Sequence, residues 1–314
     1  MIRQGRFDIV GILDGIPRHF GQREAPLTGL LCNIITLMAV LVVALSLSAC
    51  SSVKIRREDA FALIKDANWQ SSVLNAGNFD LLGAWPISPP SGATGSAGLT
   101  IYIEGDGLAF SRPNRPSQNP TPTDAIALKM AIAHQGPGAV AYLGRPCQYV
   151  LDAHLRNCDQ SYWTNRRYAP EVISSASYAI DQLKERSRAK NITLVGYSGG
   201  GALAVLLAAK RTDVTEIITV VANLDLGYWV ARDHFTPLTG SLDPADFTTD
   251  VAQIPQIHLT GEKDTVVGTD VVQAFLAKMP PGHHAHLIEY RGFSHNCCWA
   301  EQWRSIELSL KNRP

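Results

Sequence analysis

The sequence lacks an excess of charge of either sign, because 28 Lys and Arg residues balance 28 Asp and Glu residues. The basic residues are scattered, and no run of them is typical of a nucleic-acid-binding segment. Internal repeats and Cys/His clusters with metal-ligand spacing are also missing from the sequence. We therefore predict neither a nucleic-acid partner nor a metal or other cofactor.

Hydrophobic residues, in contrast, make up 46% of the 314 residues, which is enough for one large domain with a substantial core. Short apolar runs rich in β-branched residues alternate with segments of helical periodicity. This alternation predicts an α/β fold with a mostly parallel central sheet and right-handed crossovers, with helices on both faces. The predicted strands include residues 98–103, 139–143, 216–222, 256–260, 286–290 and a run that begins at Ile192, and the predicted helices are 123–134, 169–188, 270–279 and 299–310.

The N-terminal part of the sequence is typical of an exported protein. Residues 26–53 carry no charge, and Ile34–Leu47 is almost entirely apolar. This run ends in Leu47-Ser48-Ala49-Cys50, which resembles the lipobox of bacterial lipoprotein signal peptides. A transmembrane anchor of about 20 residues is one alternative, and an ordinary cleaved signal peptide is another. We predict that the lipid is attached to Cys50.

The lipobox resemblance implies a domain organisation and a location. The signal peptide covers residues 1–49, an N-terminal segment covers 50–80, and the main domain covers 81–314. The protein would be attached to a membrane of the bacterial cell envelope by its lipid and would face the periplasm. Ser51 and Ser52 lack the aspartate that often retains lipoproteins in the inner membrane, which favours the outer membrane.

Export affects the interpretation of the cysteines, because an oxidising compartment favours disulfides. Cys147 and Cys158 would close a short polar loop, and we predict a disulfide between them. In the loop-entropy model such a closure is worth about 3 kcal/mol. For the adjacent Cys297 and Cys298, a strained vicinal disulfide and two buried thiols remain alternatives.

The strand that begins at Ile192 leads into Gly196-Tyr197-Ser198-Gly199-Gly200, which has the pattern G-x-S-x-G. Between a strand and a helix this pattern is typical of a nucleophile elbow, a strained turn that lifts the serine hydroxyl clear of the backbone. Gly196 and Gly200 remove side chains that would clash in such a turn. The helix N-terminus also presents free N–H groups to a developing oxyanion. Tight packing alone, or a phosphate loop, is the alternative explanation of the glycines.

Four motifs together resemble the α/β-hydrolase superfamily across roughly residues 80 to 312, and more narrowly the lipoprotein-anchored, esterase- or lipase-like α/β-hydrolases of Gram-negative bacteria. They are Ile103-Glu104-Gly105-Asp106-Gly107, Gly196-Tyr197-Ser198-Gly199-Gly200, Gly261-Glu262-Lys263-Asp264 and Gly292-Phe293-Ser294-His295. The resemblance implies the α/β-hydrolase fold and a triad in the order serine, acid, histidine. Each of the three residues follows a predicted strand, so all three should meet at the carboxyl edge of the sheet.

The chemistry assigns a role to each member of this triad. Ser198 would be the nucleophile and His295 the base that takes its proton, while Asp264 would hold the imidazole tautomer. Asp225 also follows a strand and is the alternative acid. His234, His283 and His284 are interpreted as loop histidines.

The oxyanion of the reaction would be bound by backbone N–H groups of Gly199 and of Asp106 or Gly107. Glu104 stands where many members of the superfamily have a histidine, and a simple turn is the alternative explanation of this loop. The segment 227–250 is predicted to form a lid because it is long for a connection between strands.

The predicted function is that of a serine hydrolase acting on an ester, thioester or amide of a small molecule or lipid. A serine peptidase and a non-catalytic binding lipoprotein that kept the fold are the alternatives.

Overall fold

The computed structural model describes residues 53–88 and 98–311. The predicted signal peptide, its lipobox and Cys50 lie outside these described residues. The described residues belong to one compact unit. The boundary predicted at residue 81 falls inside the second strand of the sheet, so residues of the predicted N-terminal segment 50–80 belong to the folded domain.

The central sheet has eight strands, and its spatial order is β1-β2-β6-β3-β7-β8-β9-β10. The strands of this sheet are β1 (Trp69–Ala76), β2 (Phe79–Pro86), β3 (Leu99–Ile103), β6 (Ala139–Leu143), β7 (Ile192–Tyr197), β8 (Val214–Val220), β9 (Gln256–Gly261) and β10 (Ala285–Tyr290). The six strands from β6 to β10 in this order run parallel, whereas the β1–β2 hairpin is antiparallel and pairs with β6. The predicted mostly parallel sheet is therefore confirmed.

The β1–β2 hairpin is where the sequence was least informative. The apolar residues 81–85 are the sequence signal for β2, but the polar face of β1 hides the start of that strand at Trp69. A second, small antiparallel pair, β4 (Phe110–Arg112) and β5 (Arg115–Pro116), lies in the proline-rich segment that follows β3.

Helices cover both faces of the sheet, as predicted. A helix over residues 53–66 (α1), α2 (Ile126–Ile132) and α8 (Trp299–Lys311) contribute to the core on one face. The other face is covered by α3 (Pro170–Ser187), α4 (Gly199–Ala208), α5 (Leu226–Asp233) and α7 (Thr269–Ala277). A short α6 (Thr248–Val251) follows in the segment before β9.

Helix α3 illustrates how the sequence specifies this packing. Pro170 occupies its first turn, where the missing N–H costs nothing, and Arg188 ends it in the left-handed conformation. Its buried side chains recur at helical spacing and face the sheet, which closes one side of the core. Helix α4 differs because all ten of its residues are buried, so its apolar sequence has no polar face.

The predicted lid segment 227–250 contains most of α5, an irregular stretch and the start of α6. The disulfide predicted from the sequence is present between Cys147 and Cys158. Within the described ranges, no helix combines the length and the apolar character needed to cross a membrane.

Candidate active site

The carboxyl ends of the parallel strands bring the predicted site residues together. Ser198 follows β7, Asp264 lies just beyond β9, and His295 comes after β10. Asp106 follows β3 in the same way. Because parallel strands end at one edge of the sheet, residues that are up to about two hundred positions apart meet in one cleft.

Ser198 lies in a strained turn between β7 and α4. Its φ of 50° and ψ of −122° place a non-glycine residue in a region that few side chains adopt. The turn depends on its glycines, because a Cβ on Gly196 would lie 2.3 Å from the Gly200 carbonyl oxygen and one on Gly200 would lie 2.2 Å from that of Ile103. The geometry is that of a nucleophile elbow.

A hydrogen-bonded relay joins the serine, the histidine and one aspartate. His295 Nε2 lies 3.0 Å from Ser198 Oγ, and His295 Nδ1 lies 2.9 Å from Asp264 Oδ2. The other oxygen of Asp264 accepts the backbone N–H groups of Val266 and Val267 at 2.8 and 3.1 Å. The distances from Ser198 to His295 and from His295 to Asp264 are those that proton transfer from the serine to the histidine requires.

The Asp264 carboxylate is built to stay ionised. Burial alone would raise its pKa, but the hydrogen bond and charge of His295 and the two backbone N–H groups outweigh burial and lower the pKa below its usual range. An ionised carboxylate at this position fixes the proton of His295 on Nδ1 and leaves Nε2 free to accept a proton.

The alternative acid, Asp225, makes no contact with His295. It caps α5 by accepting the N–H of Tyr228 at 2.9 Å, and its other oxygen lies 2.6 Å from Lys278 Nζ. The sequence predicted Asp264 and left Asp225 as the alternative, since both follow strands. The structure brings only Asp264 to the histidine.

The loop that carries His295 is held from beneath by Tyr197. The tyrosine hydroxyl donates to the carbonyl of His295 or to Asn296 Oδ1, at 3.1 and 2.9 Å respectively.

Cys297 and Cys298 follow in this loop and are joined by a disulfide, which selects the first of the two predicted alternatives. The other histidines singled out in the sequence lie elsewhere: His234 ends α5, and His283 and His284 precede β10.

The predicted oxyanion donors border the serine on two sides. Gly199 opens α4, where the first N–H groups of a helix have no internal partner. Across the cleft, the N–H groups of Asp106 and Gly107 make no hydrogen bond to any described residue. The Asp106 side chain, for which the sequence predicted no role, is held by Arg145 and Arg167.

Glu104, which replaces the usual histidine, is a buried structural carboxyl. Its oxygens accept the N–H of Gly105 at 3.0 Å, that of Ala127 at 3.4 Å and the Tyr142 hydroxyl at 3.1 Å. The contact with Ala127 helps explain why α2 begins at Ile126 rather than at Thr123, because the first turn of the helix is capped from a neighbouring strand. Burial, which these hydrogen bonds only partly offset, raises the pKa of Glu104 to about 7.

This raised pKa leads to a prediction about stability. A carboxyl that holds its proton more tightly in the folded state stabilises the protein fully below its unfolded pKa, and the benefit is lost as the pH rises through about 7. From about pH 5 to about pH 8, we expect the free energy of unfolding to fall by about 3 kcal/mol more in the wild type than in Glu104→Gln. Urea unfolding followed by circular dichroism at a series of pH values measures this difference.

The matched control is Glu301→Gln, which changes an exposed glutamate on α8 and should follow the wild-type curve. If the free energy of unfolding changed with pH in the same way in the wild type and in Glu104→Gln, the prediction would be contradicted.

A cavity of about 340 Å³ opens beside the triad. Its lining combines the site residues with side chains from the predicted lid and from the loop after β9: Glu104, Gly105, Asp106, Gly107, Ala109, Pro122, Thr123, Asp124, Ile126, Arg167, Tyr197, Ser198, Asn223, Trp229, Val266, Val267, His295 and Asn296. Trp229 belongs to the predicted lid segment and is the part of it that reaches the cavity. Sequence reasoning missed Arg167 and Asn223, because neither stands in a motif.

The comparisons with known proteins agree with this geometry. A family model described as "Serine hydrolase (FSH1)" matches residues 150–295, a stretch that contains Ser198, Asp264 and His295. No curated protein matches the chain.

Solved structures with a similar fold include a putative α/β-hydrolase from Agrobacterium tumefaciens, with 14% identity, a TM-score of 0.53, and coverage of 78% of this chain and 96% of that one. An esterase from Pyrococcus furiosus has 16% identity and a TM-score of 0.52, over 79% and 92% of the two chains. The acylaminoacyl peptidase of Pyrococcus horikoshii has 12% identity and a TM-score of 0.56, over 76% of this chain and 39% of that one. The chain therefore has the α/β-hydrolase fold, and its residues 150–295 are similar to serine hydrolases.

Proposed function

We propose that this α/β-hydrolase is a serine esterase that cleaves its substrate through an acyl-enzyme on Ser198. The observation that carries the proposal is the unbroken chain of contacts from Ser198 Oγ through His295 to Asp264, at 3.0 and 2.9 Å. A site that had lost its catalytic activity would not need a strained elbow, a correctly oriented base and a buried, ionised acid together.

The steps of the reaction follow from these contacts. Ser198 Oγ attacks the acyl carbon while His295 Nε2 takes its proton, and Asp264 stabilises the imidazolium that forms. The N–H of Gly199 and that of Asp106 or Gly107 hold the oxyanion of the tetrahedral intermediate. His295 then donates its proton to the leaving alcohol, and a water activated in the same way releases the acid.

A substrate panel tests the reaction class. Labelling by a fluorophosphonate probe requires an activated serine, so the folded protein should be labelled and a binding lipoprotein should not. Aryl esters of increasing acyl length should be cleaved faster than matched anilides, because an ester releases the better leaving group. Faster cleavage of peptide amides would favour the peptidase alternative, and absence of labelling would contradict the hydrolase proposal.

We also propose that the protein is a lipoprotein anchored through Cys50 to a bacterial envelope membrane and facing the periplasm, with the outer membrane favoured. The support is the apolar run before Leu47-Ser48-Ala49-Cys50, together with the disulfides Cys147–Cys158 and Cys297–Cys298. Disulfides persist in the periplasm and are rare in the cytosol.

This anchoring leads to a prediction about lipid attachment. Metabolic labelling with a radioactive fatty acid should label the wild-type protein, and Cys50→Ala should carry no label because the acceptor thiol is gone. Cys32→Ala is the matched control, since it removes another cysteine of the leader and should be labelled like the wild type. A labelled Cys50→Ala, or an unlabelled wild type that sediments with membranes, would contradict the lipoprotein assignment.

A further inference from the structure

A buried cluster of three charges, the arginine–aspartate cluster, borders the active-site cavity. It consists of Asp106, Arg145 and Arg167. Arg167 Nη1 donates to Asp106 Oδ2 at 2.6 Å, and Arg145 Nη1 donates to Asp106 Oδ1 at 3.2 Å. The arginine side chains are only 8% and 4% exposed. Two guanidinium groups against one carboxylate leave a positive charge in excess.

The cluster lies directly against the nucleophile turn. A Cβ built on Gly199 would lie 2.1 Å from Asp106 Oδ1, so the carboxylate occupies the space that a side chain next to Ser198 would need. A lone carboxylate there would oppose the formation of an oxyanion at Ser198. The two arginines reverse this effect, because they leave the wall of the cavity positive.

Arg167 has hydrogen-bonding capacity that the protein does not use. Its Nε donates to the Thr164 carbonyl oxygen at 2.7 Å, its Nη1 donates to Asp106, and the Tyr168 hydroxyl is a further neighbour of the side chain. Its Nη2 makes no hydrogen bond to a residue in the two described ranges. Arg167 also lines the cavity, as Arg145 does not. The side chain is therefore fixed at two nitrogens and keeps donors for a further partner.

The other carboxyl groups that line the cavity, Glu104 and Asp124, are already satisfied, and so is that of Asp264 in the triad. Asp124 pairs with Lys129 at 2.6 Å, and Asp264 pairs with His295. Glu104 accepts its hydrogen bonds from Gly105, Ala127 and Tyr142, as described above. None of these groups supplies the anion that would complete the cluster.

We propose that Arg167 binds a carboxylate of the substrate, so that the esters cleaved by this enzyme are small and anionic rather than neutral long-chain lipids. The inference rests on the proposed function and names its substrate class. A guanidinium presents paired donors that match a carboxylate, and its charge strengthens each hydrogen bond. Because Asp106 and Thr164 already hold the side chain in place, little conformational entropy is lost when the substrate binds.

The test compares two matched pairs of esters. In the first pair, 4-nitrophenyl hemisuccinate carries a carboxylate on the acyl part that 4-nitrophenyl butyrate lacks. In the second pair, 4-butyryloxybenzoate carries a carboxylate on the leaving group that its methyl ester lacks. We expect the wild type to prefer the anionic member of at least one pair, and the pair that shows the preference identifies the side of the ester bond that Arg167 contacts.

Arg167→Gln should lower kcat/KM for the preferred anionic ester by about tenfold to a hundredfold more than for its neutral partner. A purely structural role for Arg167 would lower both members of the pair equally. Arg167→Lys keeps the charge without the paired donors and should lose part of the preference, and this variant decides the question should Arg167→Gln fail to fold. Arg166→Gln is the matched control, because Arg166 pairs with Glu171 and does not line the cavity.

A binding measurement separates failure of this inference from failure of the proposed esterase function. Succinate should bind to Ser198→Ala in a calorimeter more tightly than butyrate, and the added Arg167→Gln change should remove that difference. If both members of each pair are hydrolysed and Arg167→Gln leaves the ratio of their kcat/KM values unchanged, the inference is overturned and the esterase proposal stands. If the protein hydrolyses none of the esters and is not labelled by the probe, but still binds succinate selectively, the esterase proposal is overturned and the inferred anion-binding site stands.

Discussion

Ser198→Ala is expected to lower kcat/KM on 4-nitrophenyl butyrate by about 10⁴-fold or more, with the fold intact. Without the hydroxyl no acyl-enzyme can form, so the oxyanion donors and His295 have no attacking atom to assist. Labelling by the fluorophosphonate probe should disappear in the same variant. Circular dichroism should be unchanged, because alanine removes one oxygen and leaves the backbone of the elbow in place.

Ser309→Ala is the matched control for this experiment. Ser309 lies on the exposed side of α8 and donates to the carbonyl oxygen of Ile306 in the same helix, so its loss should leave kcat/KM and labelling at wild-type values. Retention of activity in Ser198→Ala would refute the esterase proposal, whatever the other variants do. His295→Ala should be almost as severe, since the serine then has no base.

Asp264→Asn is the second change with a large expected effect, about 10⁴-fold in kcat/KM. The amide can donate a hydrogen bond to His295 Nδ1, which stabilises the tautomer with its proton on Nε2. In that tautomer Nε2 cannot accept the proton of Ser198. The histidine stays within reach, so residual activity should remain, unlike in Ser198→Ala.

Asp225→Asn is the control for this experiment, because Asp225 is the other aspartate that follows a strand. Asp225 caps α5 and pairs with Lys278, so its replacement should lower the melting temperature while kcat/KM changes by less than about tenfold. Steady-state kinetics on the two variants, with thermal unfolding of both, measures the contrast. If Asp225→Asn lost most of its kcat/KM while Asp264→Asn kept it, Asp225 rather than Asp264 would be the acid of the triad.

The local parts of the fold were accessible from the sequence because they depend on short-range chemistry. The apolar run at Ala139–Leu143 predicted β6 at its observed bounds, and the periodicity of residues 169–188 predicted α3 to within one residue at each end. The first strand, β1, was missed because its residues alternate between the core and solvent without a strong apolar signal. Element ends also shifted where a distant side chain intervened, as Glu104 does at the start of α2.

Sequence alone was enough to place a strained serine between a strand and a helix and to order an acid and a histidine after it, since each depends on a motif of a few neighbouring residues. Only the tertiary structure distinguished Asp264 from Asp225, because both follow strands and differ only in what lies opposite them across the sheet edge. The arginine–aspartate cluster was beyond the reach of sequence for the same reason. Its contacts join residues 39 and 61 positions apart. Such pairs form only when the strand ends and crossover loops converge, and no local pattern records that convergence.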